Sequence, residues 1–334
     1  MDAASITILA LALILSFLPG LIDHWALKHG ASPETLIGLA IVTLAGIAAV
    51  PVAFLICASR PAAAHGPSTA TGIIAVVGLL LVAVAAGRTL ARATLIRRHW
   101  QALAAIAAAL APADHDTDVS VLPVGELLAF ASGTHAFVSQ GLVDRLSPAE
   151  RRAVIEHERE HARHGHGRVL AAASALTHGI FELTPAKRAA QIIDRELDVL
   201  ADRAAARRLD DPRAVQSALH TIATTTTQPN GSDQDTLQRR LRHLEPDASA
   251  HSRVVDRTVR LATLAIAAGV LTAICLSIHT TNIWLGVAAC SLLVMSLYVF
   301  TRPVLAPRGA VAPVPATHTQ RERTAADLGQ TQQR

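Results

Sequence analysis

The alternation of apolar and polar positions divides the chain. Five segments, 6–22, 36–58, 70–86, 261–278 and 283–300, contain no Asp, Glu, Lys or Arg. Each is roughly 17–23 residues long, enough for an α-helix to cross the hydrocarbon core of a bilayer. Between the third and fourth, the pattern turns mixed. The run WQALAAIAAALAP predicts a short amphipathic helix. VSVLPVGELLAFASG and HAFVSQGLV, rich in β-favouring residues and separated by Gly133-Thr134, predict a small β-hairpin. Ser147-Pro148-Ala149-Glu150 reads as a capping box with proline at the first helical position, and no Gly or Pro follows until Gly165, so a helix is expected there. Residues 169–183 are mostly apolar but broken by His178 and Glu182, which predicts a re-entrant or membrane-apposed helix. A long helix is expected after Pro185, ending before Asp211-Pro212, then another through RAVQSALHTIA, a polar linker at TTTTQPNGSDQD and a basic helix, TLQRRLRHL, leading back to the membrane.

The expectation is a mainly α polytopic membrane protein in four parts. Residues 1–96 hold three transmembrane helices, 97–257 one soluble block, 258–302 two more transmembrane helices, and 303–334 a disordered tail rich in Pro, Ala, Thr and Gln. The start MDAAS carries no positive charge, so the first segment reads as an uncleaved helix rather than a signal peptide.

Composition supports the membrane assignment. Of 334 residues, 51% are hydrophobic and only 17% charged, too apolar a balance for an ordinary soluble domain. The net charge of +4 has a place without nucleic acid as a partner. Arg88, Arg92, Arg97 and Arg98 follow the third segment, Arg253, Arg257 and Arg260 precede the fourth, and Arg302 and Arg308 follow the fifth. By the positive-inside rule, the central block and the tail face the cytoplasm, and the N-terminus lies outside. The loop at Lys28 then falls inside and that at Arg60 outside. Cys57, Cys275 and Cys290 lie in or beside apolar runs with no ligand spacing, so they read as helix-packing or lipid-facing residues.

The chemistry concentrates at His157-Glu158-Arg159-Glu160-His161. Residues four apart share a helix face, so His157 and His161 can aim at one ion. Glu158 lies beside them, placed to act on water as a general base. A chain with 16 histidines can also form HExxH on a merely solvated helix, and the rest of the block has to decide between the two. A catalytic zinc needs a third protein ligand. The continuation Ala162 to Gly167 lacks the glycine and histidine of the HExxHxxGxxH form. His164 and His166 have awkward spacing for joining the pair and read as a solvated basic helix end. A carboxylate from a second helix remains, and the string from Arg195 to Ala205 is rich in them.

Here the chain resembles the membrane-embedded gluzincin peptidases, a group that includes the HtpX and prenyl-protein (CAAX) peptidases and the BlaR/MecR-type antirepressor peptidases. In them the second helix carries a glutamate ligand four residues before an aspartate. Aligning that aspartate with Asp202 puts the ligand position at Asp198, a shorter acid than the group uses, with Glu196 as the fallback. The resemblance implies that Asp202 orients a ligand histidine, and that an extended substrate pairs with a strand ahead of the zinc helix, here Ala136, Phe137, Val138, Ser139 and Gln140. It covers about residues 120–246, from GELLAFASGTHAFVSQGLVDRLSPAERRAVIEHEREHARHGH to the closing basic segment RRLRHLEP.

The resemblance therefore implies a zincin-like block with zinc as cofactor, in a multi-pass protein of the plasma membrane. Five spans fit the BlaR/MecR side best, although the short outer loops leave no room for a penicillin-binding sensor domain. The expected activity is cleavage of a cytoplasmic or membrane-proximal protein, a transcriptional repressor being one such substrate. His135, His164, His166, His178 and several arginines are open candidates for the oxyanion stabiliser. The alternative is a non-catalytic membrane transducer or scaffold with a degenerate zinc site. A transporter is disfavoured because the apolar segments carry no charge.

Overall fold

The computed structural model of the chain describes residues 22, 25–48, 69–110, 118–132, 135–225, 231–245, 255–259 and 261. Most of segment 6–22, the second half of 36–58, nearly all of the fourth and fifth segments, the Gly133-Thr134 turn and the tail lie outside the described residues.

The described chain is mainly helical with one small sheet. Helix α1, Pro33–Ala48, is the described part of the second apolar segment. It is packed inside the protein: Leu36, Ile37, Leu39 and Leu44 are buried in one cluster with Val169, Ile192 and Leu197. Its start is tied down by Ser32, whose amide donates to Asp256 at 2.7 Å, and by Glu34, 3.6 Å from Arg203.

Helix α2 runs unbroken over Thr69–Leu110. It merges the third apolar segment, the arginine run and the short helix expected at WQALAAIAAALAP, so the expected boundary at residue 96 falls inside a helix. The reason is local. From Arg88 to Leu110 the chain has no Gly or Pro and is dominated by Ala, Leu and Arg, so nothing stops helix propagation. Among the described residues this is the one helix long and apolar enough to cross a membrane, over Val76–Ala107. Its large apolar side chains at Ile73, Val76, Val77, Leu79, Leu80, Leu81 and Val84 are all exposed.

The antiparallel pair expected on either side of Gly133-Thr134 is present, and a further strand extends it. The run read as one strand is two, β1 (Val119–Leu122) and β2 (Ala129–Ser132), and β3 (His135–Ser139) lies between them in the order β1-β3-β2. β2 and β3 are antiparallel, with Phe130 opposite Phe137, but β1 runs parallel to β3, with Val121 opposite Val138. The break comes at Pro123-Val124-Gly125, where the chain leaves the ladder. Helix α3 (Gln140–Arg145) starts directly from β3, capped by the Ser139 hydroxyl, which accepts from Leu142 N.

Helix α4, Pro148–His164, has the expected capping box: Ser147 Oγ accepts from Glu150 N, and Glu150 accepts from Ser147 N at 2.8 Å. Gly165, in the left-handed region at φ 64°, ends it, and α5 (His166–Gly179) begins at once in a new direction. A non-glycine residue there would meet strain. Helix α5 packs between α2 and α6 (Thr184–Leu209), burying Val169, Ala173, Ala175 and Thr177. The segment expected to form a re-entrant or membrane-apposed helix is helical over most of its length and packs on two helices of the block. Asp210, at φ 51°, ends α6, and Asp211 caps α7 (Pro212–Thr225) by accepting from Ala214 N at 3.0 Å. Helix α8, Gly231–Arg242, begins inside the expected linker and lies against α6. A second apolar cluster joins Val138, Leu142, Val154, Ala205, Val215 and Leu219, holding β3, α4, α6 and α7 together.

Candidate metal centre

Helices α4 and α6 pack side by side and bring together residues from 157 to 202. His157 and His161, one turn apart on α4, present their Nε2 atoms 3.1 Å from each other. Asp198 of α6 reaches the same point, its Oδ1 lying 3.4 Å from His161 Nε2. One donor atom from each of His157, His161 and Asp198 lies within 4.8 Å of the others. Two imidazoles and a carboxylate converging in this way form a donor set that suits a catalytic zinc and leaves a position open.

The fallback ligand is placed elsewhere. Glu196 has 0% exposure, and its two carboxylate oxygens accept from Arg239 at 2.6 and 2.9 Å. Two residues along a helix is about 200° of rotation, so Glu196 and Asp198 point in nearly opposite directions.

The outer contacts are as specific as the inner ones. Asp202, one turn beyond Asp198, accepts from His157 Nδ1 at 2.8 Å. Arg240 of α8 donates to both oxygens of Asp202, at 2.6 and 2.8 Å, and to Asp198 Oδ2 at 3.3 Å. Burial by itself would raise the pKa of both carboxyls. For Asp198 the hydrogen bond with His161 and the charge of Arg240 outweigh it and hold the group well below the usual range. For Asp202 the Arg240 guanidinium and His157 do the same. Both acids are therefore anionic at neutral pH. His157 is pulled the other way: desolvation opposes its charge, but Asp202 beside it raises its pKa above the ordinary value. The basic helix expected merely to lead back to the membrane is thus the clamp that orders the acidic side of the centre.

Of the four histidines open as oxyanion donors, none lines the cavity at the metal centre. His135 bonds Ser120 across the sheet at 2.9 Å, His164 pairs with Glu160 at 3.0 Å, and His178 with Glu182 at 3.2 Å. His166 corrects its expected role as a solvated helix end. It is 3% exposed, and its Nδ1 lies 3.2 Å from Nδ1 of His161. The left-handed Gly165 turns the chain so that His166 folds back behind the ligand. A glycine ending a helix between the two histidines was the available signal for this change of direction.

A cavity of about 360 Å³ opens over the centre. Glu158 and Arg240 line it, with Val154 of α4, Val215 and Leu219 of α7, and Ala129 to Ala131 of β2. The residues expected as the open substrate strand do not fit that role. Ala136, Phe137, Val138 and Ser139 are buried and paired on both sides, to β1 and to β2, and Gln140 already belongs to α3. A strand between two others has no free edge to offer. Among the described residues, the strand that both lines the cavity and stands at a sheet edge is β2.

A family model described as peptidase family M48 matches residues 90–305, more than half of the chain. No curated protein and no solved structure shows a match.

Proposed function

Because the chain belongs to peptidase family M48, we propose that it is a zinc metallopeptidase, with His157, His161 and Asp198 holding the ion and Glu158 acting as general base. The observation that carries this reading is the convergence of one donor atom from each of these three ligands within 4.8 Å, beside a cavity lined by Glu158. Zinc bound there supplies Lewis acidity toward the scissile carbonyl. The protein's own groups do the rest. Asp202, held by Arg240, fixes the His157 ring. Glu158 takes a proton from the attacking water and delivers it to the leaving nitrogen. The free edge of β2 offers main-chain groups to an extended substrate, and the apolar walls of the cavity take one of its side chains.

The setting is the plasma membrane, with several passes and the catalytic block on the cytoplasmic side. The exposed apolar stretch of α2 and the arginines that follow it support this placement. The substrate class is a cytoplasmic or membrane-proximal protein. The likeness to the BlaR/MecR-type peptidases points to a transcriptional repressor.

The test is a proteome-wide comparison of protein termini in cells making the wild type or Glu158→Gln, together with zinc content of the purified proteins. New termini that appear only with the wild type, at equal zinc content, are the expected result. Identical termini in both strains would overturn the peptidase reading and favour a scaffold.

A further inference from the structure

The turn between α5 and α6 is built unlike any other described turn. Phe181 and Glu182 both have left-handed backbone, at φ 59° and 53°, where non-glycine residues are disfavoured. Two such residues in succession persist only where the surroundings hold them. Their effect here is to keep large apolar side chains outside: Phe181 is 50% exposed and Leu183 42%.

The packing of α5 says which way this turn points. Near its start, Arg168, Ala171 and Ala172 share a cavity with Arg97, Trp100, Gln101 and Ala104 of α2. At its end, Gly179 lies against Ala85 and Thr89, so closely that a Cβ there would fall 1.7 Å from the Thr89 hydroxyl. Helix α5 therefore runs antiparallel to α2, down toward the exposed apolar stretch from Ile73 to Val84. It stops where that stretch gives way to arginine. Arg88 marks the level: its Nε donates to the His178 carbonyl at 3.1 Å, and its guanidinium lies 5.2 Å from the centre of the Phe181 ring. Lys187 pairs with Glu182 at 2.9 Å and offsets the one acidic group of the turn.

We propose that residues 180–183 are a membrane-docking turn that seats Phe181 and Leu183 in the headgroup–acyl boundary of the bilayer, with Arg88 facing anionic headgroups. Phe181 lies beside α2 at Arg88, just beyond the exposed apolar stretch, and two apolar side chains flanking a Glu182 neutralised by Lys187, with Arg88 at their margin, suit an anionic lipid interface. Docking there, in addition to α2, fixes the tilt of the α5–α6 pair, and so of the helix carrying Asp198, relative to the membrane. The proposal rests on the reading that the apolar stretch of α2 lies in the bilayer.

The test uses the full chain with Cys57, Cys275 and Cys290 replaced by serine, reconstituted in vesicles of phosphatidylethanolamine and phosphatidylglycerol. A nitroxide is placed by Phe181→Cys or, independently, Leu183→Cys. Val77→Cys on α2 is the lipid reference and Asp144→Cys on α3 the aqueous one. Collision with oxygen is compared with collision with a water-soluble nickel chelate. At 181 and 183 the logarithm of the oxygen-to-nickel ratio is expected to be positive, as at 77, and at 144 negative. Negative values at both turn positions with a positive value at 77 would place the turn in water and overturn this proposal alone. Labels at 181 and 183 shielded from both reagents would mean that protein covers the turn, with the same consequence. A negative value at 77 would remove the membrane placement of α2 and the docking turn with it, while leaving the metal centre untouched.

Discussion

His166 stands behind His161, their Nδ1 atoms 3.2 Å apart, while the other side of the His161 ring turns its Nε2 toward His157. Burial, with His161 and His164 close by, pushes the pKa of His166 down to about 3, so its ring is neutral and can accept a hydrogen. With the His161 proton on Nδ1, that N–H donates to it and the Nε2 lone pair is left for a metal. Each ligand histidine thus has its own orienting partner, Asp202 for His157 and His166 for His161. Removing such a partner typically costs about 10–100-fold in metal affinity. His166→Ala is expected to show a loss of that size in competition with a zinc chelator, and His166→Asn, which keeps an acceptor, a smaller one.

Asp198 and Glu196 are expected to fail in different ways. Asp198→Asn removes a ligand, so zinc binding is lost, while the thermal midpoint of the zinc-free protein falls less than in the other variant because Arg240 keeps both oxygens of Asp202. Glu196→Gln leaves Arg239 without its carboxylate partner in a buried setting, a change that costs roughly 3–5 kcal/mol in comparable pairs. Its thermal midpoint should fall, and whatever folds should bind zinc normally. Chelator competition and thermal unfolding on both variants separate the roles.

Glu150 ties the start of α4 to α7. It accepts from Ser217 at 2.6 Å and Thr221 at 2.8 Å as well as from Ser147 N. The Ser217 hydroxyl is the main influence and, with the other donors, brings the carboxyl from 4.5 down to about 2 against the opposing effect of burial. The folded chain therefore holds this proton less readily than the unfolded one. The stabilisation is fully present above pH 4.5 and is lost as pH falls toward about 2. Glu150→Gln should flatten the acid limb of the stability curve in that window, as read from denaturant midpoints.

Gly179 allows α5 to meet α2. A methyl group there would sit 1.7 Å from Thr89 Oγ1 and 2.8 Å from the Ala85 carbonyl. Gly179→Ala should destabilise the packed block by about 1–3 kcal/mol, the usual cost of overpacking. Adding Thr89→Ala should recover part of it but not all, because the Ala85 backbone remains. Thermal unfolding of the two variants checks this.

Much of the centre was legible beforehand because its information is local. The capping box, Pro148 and a run without Gly or Pro define α4, and four-residue spacing puts His157 and His161 on one face whatever surrounds them. The resemblance then set Asp198 and Asp202 in register, and both meet α4 as expected. The sheet was not legible in the same way. The alternation of β1, β2 and β3 marks strands but carries no record of which one lies in the middle. Ala136 to Ser139 read equally well as an edge, and long-range pairing with Val119 to Leu122 makes them central. The split of α2 into a span and a separate short helix failed for the opposite reason. A change from apolar to basic composition alters the helix's surroundings but not its backbone, and nothing in that stretch breaks it.

Residue order alone determined helix α4, its capping box and the pair of imidazoles, since each depends on neighbours within a few positions. It also determined that α2 carries an apolar stretch long enough to cross a bilayer. Which acid meets the imidazoles, that Arg239 and Arg240 divide Glu196 from Asp198 and Asp202, and that His166 turns back onto His161 depend on helices crossing at a particular rotation and depth. Those quantities come from packing between residues tens of positions apart, and no local pattern encodes them.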